Sequence, residues 1–192
     1  MKLLKGEMTI EELNSKDNPY GDKDKKTIEL SKKQNINVSG PLIDEDINCK
    51  ICDLGNGCWT HYHFVPKIQT RQYRAPEVIM GVDYDASTDL WSFACMTFEL
   101  LTGDFLFNPR PGDNHKKNDD HLALFMEMLG PMPKKFATQG NMFDHYYMKN
   151  PKTGKYYFRR IHDLKPIKLE SILIHRYFFK PKEAEVFADF IM

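Results

Sequence analysis

The chain has 192 residues, enough for one compact domain with its own core and short for two. Lysine and arginine together number 27, as do aspartate and glutamate, so no net charge favours nucleic acid or a membrane surface as a partner. No stretch reaches the roughly 18 consecutive apolar residues that a membrane-spanning helix needs, so we expect no membrane span.

Residues 1–40 differ in composition from the rest of the chain. They hold eight lysines, seven acidic residues and one aromatic side chain, Tyr20. A segment with so little to bury does not offset the entropy of ordering it, so we expect a flexible, charged spacer. A short helix over Met8–Leu13 is compatible with that composition. The globular part is predicted to occupy residues 41–192.

A predicted strand over residues 48–52 leads into an Asp53-Leu54-Gly55 turn. Cys49, Cys52 and Cys58, with two histidines nearby, superficially suggest a zinc cluster. On a strand, however, Cys49 and Cys52 would point to opposite faces with their Cα atoms about 10 Å apart, too far for one tetrahedral ion. We therefore expect free thiols that act as small buried core residues, in a protein of the cytoplasm or nucleus, where disulfides are rare.

The most apolar segment, Ser87–Leu101, predicts a helix. Apolar residues occupy nearly every side of it, so the pattern predicts a helix buried all round. Ser87 or Thr88 is expected to cap its start, and Gly103 is expected to end it.

Three further helices are predicted towards the C-terminus. His121–Leu129 is amphipathic, with a start at Asp119 or Asp120 and a stop at Gly130-Pro131. Leu169–Tyr177 is a weaker candidate, and a last helix follows Pro181. The region between them is rich in aromatic and basic residues. The chain therefore predicts a mainly helical domain.

Two motifs bracket a segment that resembles the activation segment of protein kinases. Asp53-Leu54-Gly55-Asn56 stands at its start, and Ala75-Pro76-Glu77 ends it about two dozen residues later. Within it, Asp53–Trp59, the His-x-His-Phe at 61–64 and Gln69–Arg74 resemble the SR-protein kinases. These serine/threonine kinases use ATP to phosphorylate serines in Arg/Ser-rich splicing factors. The resemblance covers residues 47–191 and implies a partial kinase fold: the C-terminal lobe from the activation segment onward, without the N-lobe sheet and catalytic loop.

The resemblance also implies roles for individual residues. Asp53 would bind the Mg²⁺ ion that bridges the ATP phosphates. A substrate-facing loop would comprise Thr70, Arg71, Gln72, Tyr73 and Arg74. Arg71 and Arg74 would brace this loop by hydrogen bonds, and Gln72 stands where many relatives need a phosphorylated residue. Glu77 would pair with an arginine of a later segment, which would lie beyond Met192.

The insert over residues 104–120 resembles the acidic docking groove of the same family. Its acidic residues are Asp104, Asp113, Asp119 and Asp120. Together they would attract an Arg/Ser-rich protein substrate, because several exposed charges jointly set the affinity for a polybasic peptide. Asn108, Arg110 and Lys116-Lys117 depart from the acidic pattern and reduce that attraction.

Several kinase elements do not occur in these 192 residues: a Gly-rich nucleotide loop, a Val-Ala-Ile-Lys strand and a His-Arg-Asp catalytic loop. The catalytic base is expected upstream of this chain, and its loss alone is worth about 10²–10⁴ in rate. The isolated chain is therefore predicted to be inactive, to bind ATP and Mg²⁺ weakly and to be monomeric. The alternative is a non-catalytic, pseudokinase-type module that binds basic peptides.

Overall fold

A computed structural model describes residues 49–192. The predicted spacer over residues 1–40 and its short helix lie outside the described residues, as does the expected domain start near residue 41. The described part is mostly helical, with one two-stranded sheet. Its helices are α1 (Pro76–Met80), α2 (Ser87–Thr102), α3 (Lys117–Leu129), α4 (Lys134–Ala137), α5 (Phe143–Tyr146), α6 (Leu169–Tyr177) and α7 (Pro181–Ile191). The strands are β1 (Tyr147–Lys149) and β2 (Tyr156–Phe158).

Helix α2 begins at Ser87, as predicted, and runs one residue beyond the predicted Leu101, and Gly103 ends it in the left-handed conformation (φ 77°). The predicted N-terminal caps, Ser87 or Thr88, are wrong, because the N-cap residue is Ala86. The Asp85 carboxylate accepts hydrogen bonds from the backbone nitrogen (2.8 Å) and the hydroxyl of Ser87. Asp85, which precedes the helix, thus gives an acceptor to a first-turn N–H group that has no partner within the helix. Those two bonds lower the pKa of Asp85.

The prediction that α2 is buried all round is also wrong. Cys95 and Phe98 are buried in the core, but a second apolar face is exposed. The residues of that face are Leu90, Phe93, Met96, Leu100 and Leu101. A helix that is apolar on all sides can be buried on all sides. Whether it is buried depends on which other elements pack against it. Among the described residues, nothing covers this face.

Helix α3 begins earlier than predicted, at Lys117. The Asp119 side chain accepts a hydrogen bond from the backbone nitrogen of Lys116 (2.9 Å), so Asp119 satisfies the helix start from inside the first turn. Gly130 ends the helix at a positive φ of 84°, as predicted. Most of the helix is buried, and Leu122, Leu124 and Phe125 lie in the central core.

The aromatic region after α3 forms two short helices and the hairpin. Strands β1 and β2 pair antiparallel, with Tyr147 opposite Phe158 and Lys149 opposite Tyr156. The start of this region packs closely on the end of α1. At Gly140 an added Cβ would meet the backbone oxygen of Met80 well inside contact distance, so a larger residue does not fit there.

Helices α6 and α7 confirm the two C-terminal predictions. Leu169, Ile172 and Leu173 of α6 are buried in the core, and α7 packs on it through Ala184 and Ala188. The described part of the chain contains no helix that is both long and apolar enough to cross a membrane.

The N-terminal end of the described part differs from its prediction. Residues 49–53 form no strand, and Cys49, Cys52 and Cys58 are exposed rather than buried. A strand needs a neighbour to pair its backbone groups, and none of the described residues provides one here. Cys95 of α2 is the buried thiol, and burial raises its pKa to about 12. All four cysteines are free thiols.

Candidate functional site

The Asp53-Leu54-Gly55 turn lies at the surface. Asp53 has a left-handed backbone (φ 61°), and a single 3-10 turn over Leu54–Asn56 follows it. No group of three or more His, Cys, Asp or Glu side chains within residues 49–192 could hold a metal ion. One exposed carboxylate supplies a single ligand of the about six that Mg²⁺ requires. The described residues therefore do not by themselves fit a magnesium–nucleotide site, and the role of Asp53 stays a prediction.

The middle of the segment is held by a stacked pair of rings. The ring centroids of His63 and Tyr84 lie 4.0 Å apart, and the planes are 8° from parallel. The Tyr84 hydroxyl also donates a hydrogen bond of 2.9 Å to the backbone oxygen of Val65. These contacts attach the segment to the loop that precedes α2.

Gln69 is the point at which the predicted substrate-facing loop is fixed to α2. It adopts a left-handed backbone (φ 65°), which is uncommon for a residue with a side chain. Its side-chain nitrogen donates to the backbone oxygen of Thr88 (2.8 Å) and to the Ser92 hydroxyl (2.7 Å). Its side-chain oxygen accepts from the backbone nitrogen of Ala75 (2.8 Å). One side chain thus joins the start of the loop, its end and the helix beneath it.

The two arginines of the loop make different contacts. The Arg74 guanidinium donates to the backbone oxygens of Ile68 (3.0 Å) and Gln69 (2.7 Å), so it closes the loop on itself. Burial lowers the pKa of Arg74, and the nearby charge of Arg71 lowers it further. Arg71 instead donates to the Asn118 side chain of α3 (2.6 Å). Hydrogen bonds from both arginines therefore brace the loop, one internally and one against a second helix.

Tyr73 attaches the loop to α2 a second time. Its hydroxyl donates to the Glu99 carboxylate, and its backbone oxygen accepts from the Ser92 hydroxyl at 3.0 Å. The hydrogen bond to Glu99 raises the pKa of Tyr73 to about 12, with smaller contributions from burial and from the charge of Glu99. Between these contacts Thr70 is exposed and Gln72 is half-buried, at the tip of the loop. The tip is thus supported by hydrogen bonds from both neutral and charged side chains.

Glu77 has a partner within the described chain. Its carboxylate accepts a hydrogen bond of 2.9 Å from the hydroxyl of Thr88, a buried residue in the first turn of α2. This contact gives the carboxylate a neutral donor within the described residues, and the pairing of Glu77 with an arginine stays a prediction.

The four acidic residues of the predicted docking groove are in different environments. Asp119 is 1% exposed and forms an ion pair with Arg160 at 2.6 Å. Asp120 is half-buried and accepts a hydrogen bond of 2.7 Å from the backbone nitrogen of Arg110. Burial raises the pKa of Asp120. The Asp104 carboxylate accepts from the Tyr177 hydroxyl at 3.0 Å.

Asp113 is the fourth of these residues, and its side chain is exposed. Since the other three carboxylates are engaged within the fold, the structure does not present four free acidic side chains to a partner. The insert has an acidic composition, but much of that charge serves the fold itself.

Sequence reasoning assigned no role to Gln69, Ser92, Asn118 or Glu99, although these residues position the loop. Their contacts join residues that lie between 19 and 47 positions apart. Polar residues inside the otherwise apolar α2, such as Ser92 and Glu99, were the available signal, because a buried helix face holds polar groups only where they have partners.

This combination of a turn at Asp53, a tied loop ending at Ala75-Pro76-Glu77 and a large helix beneath it defines a protein kinase domain. Residues 31–166 match the family model described as the protein kinase domain, and the chain belongs to that family.

Relatives of the chain within this family include SR-protein kinases. It is 46% identical over 143 residues to serine/threonine-protein kinase SRPK of Physarum polycephalum, which covers 74% of this chain and 33% of the relative. Protein kinase dsk1 of Schizosaccharomyces pombe is 46% identical over 145 residues, covering 76% and 26% respectively. Human SRSF protein kinase 3 is 40% identical over 157 residues, covering 82% and 27%. The chain spans about a third or less of the length of these curated relatives.

Proposed function

We propose that residues 49–192 are part of the C-terminal lobe of a serine/threonine kinase that phosphorylates Arg/Ser-rich proteins. The observation that carries this proposal is the fixed loop over residues 70–74. Gln69 and Tyr73 tie it to α2, and Arg71 ties it to α3. A substrate-facing loop that is held in one conformation lowers the entropic cost of aligning a substrate hydroxyl.

The contacts of this loop also support activity without phosphorylation of the loop. Kinases that need a phosphorylated residue use its charge to order the segment through arginines. In this chain, Arg74 is engaged with backbone oxygens and Arg71 with an asparagine. Gln72 stands at the tip, where a phosphorylatable residue would be expected. The ordering is thus supplied by hydrogen bonds that are present in the unmodified chain.

ATP and Mg²⁺ belong to the complete kinase in this proposal, and Asp53 is the residue of this chain that would contribute to their binding. Bound Mg²⁺ and ATP supply the phosphoryl group and neutralise its charge during transfer. Because Asp53 is a lone exposed carboxylate here, we expect the isolated chain to bind Mg–ATP weakly and to transfer no phosphate. The complete protein would act on its Arg/Ser-rich substrate in the cytoplasm and nucleus.

The alternative of a non-catalytic module for basic peptides has less support. Such a module would need free carboxylates, whereas Asp119 is buried against Arg160 and Asp104 accepts from Tyr177. Asp113 alone is exposed among the four. One exposed charge contributes little affinity for a polybasic peptide.

A chimera tests the kinase proposal. Residues 49–192 would replace the matching segment of the Physarum relative, and phosphate transfer to an Arg–Ser repeat peptide would be measured. We expect the chimera to be active, its Asp53→Asn variant to lose nearly all activity, and its Gln72→Ala variant to keep most of it. A Lys–Ser peptide of equal length tests the substrate class, and we expect slower transfer to it. A folded chimera that transfers no phosphate would contradict the proposal.

A further inference from the structure

A cavity of about 610 Å³ lies between the C-terminal end of α3, helices α4 and α5, and the β1–β2 hairpin. Aromatic rings form much of its wall. Phe143 stacks on Tyr147, with centroids 5.1 Å apart, and meets the edge of Tyr156 at 4.9 Å. A volume between about 300 and 1,000 Å³ and a largely apolar, aromatic lining are typical of sites for small molecules. None of the residues that the kinase proposal uses lines this cavity.

The charge of the cavity is one-sided. Lys134, Lys155 and His162 line it, whereas no aspartate or glutamate of the described chain does. The Lys134 ammonium lies 5.7 Å from the centroid of the Tyr156 ring, so a cation is held at the edge of the aromatic wall. Both lysines are exposed. An apolar wall beside uncompensated positive charge is complementary to a molecule with an apolar body and one anionic group.

The part of the wall around Tyr147 is apolar even at the tyrosine hydroxyl. The Tyr147 hydroxyl donates to the sulfur atoms of Met126 (3.6 Å) and Met132 (3.7 Å), which are weak acceptors. Burial raises the pKa of Tyr147 to about 12, so this group stays an uncharged phenol. The interior therefore suits a hydrocarbon body, and the lysine rim suits the anionic end.

We propose that this cavity binds a small amphipathic monocarboxylate of the fatty-acid class. The hydrocarbon tail lies against Phe143 and Tyr147, and the carboxylate lies beside Lys134 and Lys155. A protein partner is less suited to the site, because a stable protein interface buries about 800 Å² on each side. A cavity of this volume instead matches one small molecule.

Methionine-methyl NMR on the full chain tests this binding directly. Met126 and Met132 line the cavity, whereas Met96 lies 43% exposed on the apolar face of α2 and reports non-specific adsorption. Dodecanoate, below the concentration at which it forms micelles, is expected to shift the first two methyl signals saturably and to leave Met96 unchanged. No shift at Met126 and Met132, or an equal shift at Met96, would overturn the proposal.

The role of the lysines has its own variant and control. In the Lys134→Glu/Lys155→Glu double variant, dodecanoate is expected to bind about tenfold or more weakly. Lys152→Glu, an exposed site on the same hairpin that does not line the cavity, is expected to bind as the parent does. An unchanged signal from buried Met80 shows that each variant is folded. Equal affinity of the double variant, or binding of dodecylamine as tight as that of dodecanoate, would contradict an anion site.

Discussion

The Gln69 side chain donates a hydrogen bond of 2.7 Å to the Ser92 hydroxyl, which in turn donates to the backbone oxygen of Tyr73 at 3.0 Å. The start and the end of the loop are therefore coupled through a single serine of α2. Ser92 lies in a helix of 16 residues whose other side packs in the core. The loop is therefore attached to an element that the core holds in place. The conformation of this loop and the stability of the fold are linked at this point.

Gln69→Ala tests that coupling. The substitution removes three hydrogen bonds and leaves the backbone nitrogen of Ala75, a residue with 0% exposure, without its acceptor. We expect a loss of about 2 kcal/mol in the free energy of unfolding, measured by urea denaturation. Gln139→Ala, at an exposed glutamine, should change it by less than about 0.5 kcal/mol. Equal effects of the two substitutions would contradict the structural role of Gln69.

Tyr73→Phe separates the hydroxyl contact from the packing of the ring. The hydrogen bond to Glu99 raises the pKa of Tyr73 from 10.0 to about 12, so the folded state holds this proton more tightly than the unfolded state does. The stability from this contact is therefore fully present below pH 10 and is lost as the pH rises through about 12.

We expect Tyr73→Phe to lower the free energy of unfolding by about 1 kcal/mol at pH 8. The difference between the parent and this variant should vanish at high pH. Tyr62→Phe, at a tyrosine that is 60% exposed, is the matched control and should show no such pH-dependent difference. A difference that stays constant up to pH 12 would show that the hydroxyl contact is absent in solution.

The ion pair between buried Asp119 and partly exposed Arg160 should be worth more than a fully exposed pair. Asp119→Ala removes the acceptor of Arg160 and of the Lys116 backbone nitrogen, while Arg160, 26% exposed, keeps its hydrogen bond to the backbone oxygen of His145, so we expect a loss of about 1.5–3 kcal/mol. Glu183→Ala removes one partner of the exposed pair with Lys180, where the expected cost is about 0–1 kcal/mol. Replacing both members, as in Asp119→Leu/Arg160→Met, should recover much of the loss. Chemical denaturation of the parent and the three variants measures these differences, and a cost below about 1 kcal/mol for Asp119→Ala would show a solvent-exposed pair.

The local order of the chain was predictable from its sequence, whereas the long-range contacts were not. Leu169–Tyr177 and the bounds of α2 follow from apolar spacing and from terminal residues such as Gly103. The pairing of Asp119 with Arg160 spans 41 positions and leaves no local pattern, so an acidic residue read as a surface charge is in fact buried. The burial of α2 was predicted wrongly for the same reason. The sequence pattern shows that a residue is apolar, but it does not show which element packs against that residue.

His121 makes the described domain sensitive to acid. Its side chain has 0% exposure, and neither ring nitrogen has a hydrogen-bond partner among the described residues. Burial lowers its pKa from 6.5 to about 3, with smaller contributions from the charges of Arg71 and Arg74. As the pH falls, His121 of the unfolded chain becomes protonated near pH 6.5, whereas His121 of the folded chain becomes protonated only near pH 3. The free energy of unfolding therefore decreases as the pH falls from about 6.5 to about 3.

His121→Leu should remove this part of the acid sensitivity. The ring packs against Phe107 and Phe125, so an apolar side chain of similar size fits its surroundings and leaves no nitrogen unpaired. Between pH 7 and pH 5 the parent should lose about 2 kcal/mol more in the free energy of unfolding than the variant does. His175→Leu, at a half-buried histidine of α6, is the control and should retain the parental slope. Parallel slopes for the parent and His121→Leu would mean that His121 is hydrated and titrates normally in the folded state.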